Sequence, residues 1–134
     1  MEESKIIIPH HISRGFVVKN PDFIFVYGCD VVGKACLGQA WNCYGEPNAF
    51  GIPTMIKYCS AKQHYRDDSG AANYQGYIDR AISLIPLDGR PIIVLPGIGR
   101  GCSRMFELSP KLYNYMIAVL DKIRHKNVEI DYNA

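Results

Sequence analysis

The sequence lacks the features that would announce a function at once. No stretch approaches the ~20 consecutive apolar residues that a membrane-spanning helix needs. The opening MEESKIIIPHH carries acidic residues where a secretory signal would be basic. Both absences point to a soluble, cytoplasmic protein with no membrane partner. The cationic excess is small, 15 Lys plus Arg against 13 Asp plus Glu for a net charge of +2. That is too little for a protein whose main task is gripping a nucleic-acid backbone, so no nucleic-acid partner is expected. No C-x-x-C pair occurs among Cys29, Cys36, Cys43, Cys59 and Cys102, and their odd number suits free intracellular thiols better than a disulfide framework. His64 and His125 have no ligand four residues on, and His10 and His11 sit near one end, so neither a metal nor a cofactor is expected. Nor is a Ser-His-Asp or Cys-His set legible, which leaves covalent catalysis unsupported.

What the chain does have is the length of one domain and a clustered set of glycines. Its 134 residues, 48% of them hydrophobic, are expected to form a single domain over 1–134. A domain of this size buries roughly two-thirds of the surface of its unfolded chain, enough to fold without disulfide or metal staples. The 12 glycines are not scattered. The continuous apolar run from Phe23 to Tyr27 stops at Gly28, and the run from Ile92 to Leu95 stops at Pro96 and Gly97, so two buried strands each open into a glycine-bearing loop. Shorter strands are expected at 6–8 and 128–132, and a weaker one at 49–54, where Pro53 cannot donate to a ladder.

Between the strands lie helical patterns. Tyr74, Tyr77, Ile78, Ala81, Ile82 and Ile85 recur at helical spacing, with Asn73 as the expected N-cap. The pattern returns at Leu112, Tyr115, Met116, Val119, Leu120 and Ile123, preceded by Ser109 at N-cap and Pro110 at N1. A shorter helix is expected from near Gly33 to Cys43, with Trp41 packing it on the sheet, and an exposed loop over 57–72. Strands alternating with helices imply an α/β layered domain, in which ligands sit outside the carboxyl ends of the strands. Both glycine loops then share one edge and one cleft.

The first loop contains Gly28, Cys29, Asp30, Gly33, Lys34 and Gly38. Such glycines either make a strand-to-helix turn or let an anion approach the main chain. The P-loop signature fails here, because Lys34 is followed by Ala35 where a Ser or Thr would hold Mg²⁺. The second loop, Gly97, Ile98, Gly99, Arg100, Gly101, Cys102 and onward to Arg104, has glycines at alternate positions that suit a backbone nest, with an arginine to add a charge-assisted bond. Cys29 and Cys102 border these loops as thiols that are either activated or inert packing residues. Tyr74, Tyr77 and Tyr115, on the apolar faces of helices, read first as core, and Phe106 is the better nucleoside contact.

At these loops the sequence resembles the macro domain superfamily, which binds ADP-ribose and related nucleotides, and within it a small macro-like branch of bacteria and phages. The stretches that carry the resemblance are Phe25 to Gly28, Gly38-Gln39-Ala40, Glu46 to Thr54 (EPNAFGIPT), Gly97 to Gly101 (GIGRG) and the helix opening at Ser109 and Pro110. Together they span about Asn20 to Ile123, and Glu46 to Thr54 is the most specific. The resemblance implies a single three-layer macro-like domain with a mixed β-sheet flanked by helices. It implies that 97–101 wraps a diphosphate and that the loop from Gly28 through Gly38 holds the distal ribose, with Gln39 reading the ligand or capping its helix. Pro53 and Thr54 would line the sheet's edge. Asp30 stands where the family usually has asparagine; an ionised carboxylate only accepts hydrogen bonds and can act as a general base on water. Lys34, Ala35 and Cys36 also depart from the family's glycines. Three functions follow: binding of an ADP-ribose-like nucleotide, with sequestration of a signalling derivative of NAD as one use; an ADP-ribosyl glycohydrolase in which Asp30 orients water; or an interaction domain that keeps the fold without the ligand.

Overall fold

A computed structural model describes residues 5–30, 38–55, 71–100 and 105–132. In chain order the elements are β1 (Ile6–Pro9), α1 (Arg14–Lys19), β2 (Ile24–Asp30), α2 (Gly38–Cys43), β3 (Ala49–Met55), α3 (Ala71–Ser83), β4 (Ile92–Val94), α4 (Met105–Leu108), α5 (Pro110–Ile123) and β5 (Val128–Asp131). Strands and helices alternate in an α/β arrangement. β2 lies between β3 and β4, and both neighbours run parallel to it. β1 pairs with β5, also in parallel. The His125 N–H donates to the Ile92 carbonyl over 3.2 Å, linking the lead-in to β5 with β4. Where the resemblance implies a mixed sheet, every pair among the described strands is parallel.

Why β2 reads as an unbroken apolar run is clear from its two faces. Successive side chains of a strand point to opposite sides. Ile24 and Val26 enter one core with Ile52, Ile78, Ile92, Met105, Leu112, Met116 and Leu120, the side covered by α3, α4 and α5. Phe25, Tyr27 and Cys29 enter a second core with Ile8, Ile12, Val17, Cys43 and Ile93, the side of α1 and α2. Helices therefore cover both faces of β2.

Several boundaries differ from the sequence reading. α3 begins at Ala71, so Asn73 lies inside the helix, because Ala71 and Ala72 are strong helix formers that extend it beyond the expected cap. Of the polar loop expected over 57–72, residues 57–70 lie outside the described residues, and Ala71 and Ala72 are helical. Ser109 does precede α5, with Pro110 in its first turn, but its side chain makes no capping bond and is fully buried. Trp41 is 48% exposed rather than packed on the sheet. It stacks on Tyr44 with ring centroids 5.7 Å apart, and the Arg14 guanidinium lies over it. Pro53 sits in β3, the outer strand of the described three, where no further ladder bond is required of it.

Candidate functional site

The order β3-β2-β4 places β2 between two strands that run parallel to it. From β2 the chain passes through α2, on the Phe25 and Tyr27 side, to β3 on one flank; α3, on the Ile24 and Val26 side, then precedes β4 on the other flank. At their carboxyl ends β2 leads to α2 on one face, while β4 leads to α4 and α5 on the other. Adjacent parallel strands whose continuations part to opposite faces form a topological switch point, where open α/β sheets hold their ligands. The Leu95 N–H donates to the Val26 carbonyl over 2.9 Å, so the strands stay paired up to the start of the second loop. The ends of both glycine loops thus share one edge of the sheet.

On the β2 side, the glycines answer mainly to packing. A β-carbon on Gly28 would lie 2.9 Å from Thr54 Oγ1, so the buried Thr54 side chain occupies the space that glycine leaves. Gly51 does the same for the opposite face, where a β-carbon would meet Cys29 Sγ at 2.8 Å. The ladder shifts register between Cys29 and Asp30, so Cys29 faces Pro53 but Asp30 faces Met55, and Thr54 is the extra residue of a bulge. Bulges re-aim side chains near functional sites. Asp30 is only 2% exposed at this strand end. The Cys29 thiol is buried, and burial first, with the Asp30 charge second, pushes it up to about 12. Burial thus disfavours the thiolate and suits a packing residue.

On the β4 side, conformation decides. Gly97 has φ +76° and Gly99 φ +78°, left-handed values at alternate positions. Ile98 N–H donates to the Leu95 carbonyl over 3.3 Å and Arg100 N–H to the Gly97 carbonyl over 2.8 Å, closing the turn. Among the described residues the Gly97 and Gly99 N–H groups make no backbone bond. The Ile98 side chain is 7% exposed and packs in the core beneath the loop. Arg100 is exposed; its guanidinium carbon lies 4.7 Å from the Phe106 ring centroid, and its Nε donates to the Tyr113 hydroxyl over 2.9 Å. One face of Phe106 is thus covered by arginine, which removes that face from the nucleoside contact expected of it.

Residues 7–119 match the model of a family of unknown function (DUF7831), a span from β1 into α5 that takes in both loops. The chain belongs to the DUF7831 family. No curated protein and no solved structure matches it.

In this DUF7831 member Gln39 has a structural task. Its side-chain carbonyl accepts the Ile12 N–H, and Asn42 donates to the Ile12 carbonyl over 2.9 Å, so α2 grips the segment before α1 by both main-chain groups. Gly38 is the first residue of α2. Gly33, Lys34, Ala35, Cys36, Gly101, Cys102 and Arg104 lie outside the described residues. Tyr113 lies off the apolar period that marks α5, and no local signal in the sequence points to its contact with Gly99 and Arg100. Among the described residues of the DUF7831 chain, no group of three His, Cys, Asp or Glu could hold a metal, and no helix is long and apolar enough to cross a membrane.

Proposed function

We propose that the chain binds ADP-ribose or a related NAD-derived nucleotide in the crevice at the carboxyl ends of β2 and β4. The observation that carries this reading is the pair of left-handed glycines, Gly97 and Gly99, at the end of β4, with two main-chain donors unspent among the described residues and Arg100 beside them. With the Ile98 and Arg100 N–H groups used in closing the turn, the Gly97 and Gly99 N–H groups are left as the main-chain donors suited to a phosphate oxygen. The switch point supplies the crevice. The resemblance of Glu46 to Thr54 and of Gly97 to Gly101 to the macro domain pattern favours a nucleotide, and a three-layer macro-like domain, over another small anion. A diphosphate held mostly by backbone donors needs few cations, in keeping with a net charge of +2. Calorimetric titration with ADP-ribose tests the reading: saturable heat is expected from the native chain and none from Gly99→Glu, whose side chain fills the turn. Absence of heat with the native chain would instead leave an interaction domain without ligand.

The buried Asp30 carboxylate at the end of β2 favours a second reading, hydrolysis of an ADP-ribosyl bond with Asp30 orienting water. Product analysis over time separates the two. Turnover abolished in Asp30→Ala but kept in Cys29→Ala identifies a glycohydrolase, whereas intact ligand after long incubation leaves binding and sequestration.

A further inference from the structure

We propose that Tyr113 is a positioning residue of this crevice: its hydroxyl holds Arg100 beside Gly97 and Gly99, so that guanidinium and turn together grip one phosphate-bearing anion. The inference rests on the nucleotide-binding reading and adds a residue that lies outside both glycine loops.

Tyr113 braces two sets of donors at once. Its ring packs on the turn, since a β-carbon on Gly99 would lie 3.0 Å from its Cδ2. Its hydroxyl accepts from Arg100 Nε over 2.9 Å. The guanidinium carbon lies 5.6 Å from the Tyr113 ring centroid and 4.7 Å from that of Phe106, and the two rings meet edge-on with centroids 6.0 Å apart. An exposed arginine ordinarily samples many rotamers, and ordering it opposes binding. Here three contacts hold it in advance. The base is rigid as well, because Leu112 and Met116, on either side of Tyr113 in α5, are buried in the core.

Charge gives the second argument. Among the described residues no carboxylate pairs with Arg100. Its Nε is engaged by a neutral hydroxyl, which leaves both Nη groups for an oxyanion. The Tyr113 hydroxyl, while accepting from Nε, retains its own proton to donate. Two unspent main-chain donors and a fixed guanidinium within one short turn match an anion with oxygens on more than one centre, as in a diphosphate.

The test is titration of the native chain, Tyr113→Phe, Arg100→Gln and the double variant with inorganic pyrophosphate and with ADP-ribose. Tyr113→Phe keeps the ring on Gly99 and beneath the guanidinium, so its melting temperature should stay near native. Binding of both ligands should weaken roughly tenfold, the size of one hydrogen bond to a charged group. In the Arg100→Gln background the same change should have little further effect, because the hydroxyl acts through the arginine. Additive losses would overturn the inference, as would native-strength binding by Tyr113→Phe. In both cases the nucleotide reading would stand. Tyr113-dependent binding of pyrophosphate without binding of ADP-ribose would support the inference and sink the nucleotide reading. Binding of neither would sink both.

Discussion

Thr54 fills the space that Gly28 leaves on the neighbouring strand, its Oγ1 lying 2.9 Å and its Cγ2 3.2 Å from where a β-carbon would stand. Both atoms belong to a buried side chain with little room to move. Gly28→Ala is expected to destabilise the fold by about 1–3 kcal/mol, the usual cost of overfilling a packed site. Adding Thr54→Ala should recover part of that loss, and a double-mutant cycle in urea measures the coupling.

Gly97 and Gly99 share a left-handed φ but differ in surroundings. A β-carbon on Gly97 would meet nothing within 4 Å, whereas one on Gly99 would press on the Tyr113 ring at 3.0 Å and Met116 Cε at 3.1 Å. Gly97→Ala should cost only the backbone term of about 1–2 kcal/mol. Gly99→Ala should cost more, and chemical denaturation of the two variants side by side checks the order.

Arg14 closes the carboxyl end of α2. Its guanidinium donates to the Trp41 carbonyl, to the Tyr44 carbonyl over 2.9 Å and to Glu46 Oε1 over 2.8 Å. Arg14→Ala is expected to destabilise by about 1.5–3 kcal/mol, given that hydrogen bonds from a charged group are among the stronger ones. Arg14→Lys should not restore stability, since an ammonium lacks the planar fork that reaches three acceptors. Thermal melts of both variants decide this.

Cys29 and Cys43 make the fold sensitive to alkali. Burial is the first cause for both and pushes each thiol from an ordinary 9.0 up to about 12, although the Arg14 charge pulls Cys43 partly back. Between these values the unfolded chain releases the protons that the folded chain retains. Stability is therefore complete below pH 9 and falls as pH rises toward 12, by up to about 1.4 kcal/mol per pH unit for each thiol. Urea titrations at pH 8, 9.5 and 10.5 should show the decline, and Cys29→Ala should flatten it. Peptide mapping after alkylation at pH 8 should find both cysteines protected in the native chain and modified in urea.

How much of this was legible follows from which contacts are local. β2 could be read because its unbroken apolar run reports burial on both faces, and α5 because six apolar positions keep one period behind Pro110. α1 could not: six residues carry less than two turns of pattern, and the helix depends on the Ser13 cap and on Arg14 reaching across to α2. The common edge at which β2 and β4 end was readable from the two apolar runs. The reasons for the individual glycines were not, since Gly28 answers to Thr54 and Gly51 to Cys29, each on the neighbouring strand. Gln39 looked available to a ligand only because its partner, the Ile12 N–H, lies 27 residues away.

β1 has β5 as its partner among the described strands, with Ile6 opposite Val128 and Pro9 opposite Asp131. The pairing joins segments separated by almost the whole chain, so it closes a very long loop and is costly to form early. During synthesis the earlier strand must wait until the later one has cleared the ribosome. Until then Ile8, which ends fully buried, remains on an open parallel edge that can pair with another nascent chain. A chain halted within α5 therefore lacks the partner of β1 and would be prone to aggregation whatever the state of its crevice.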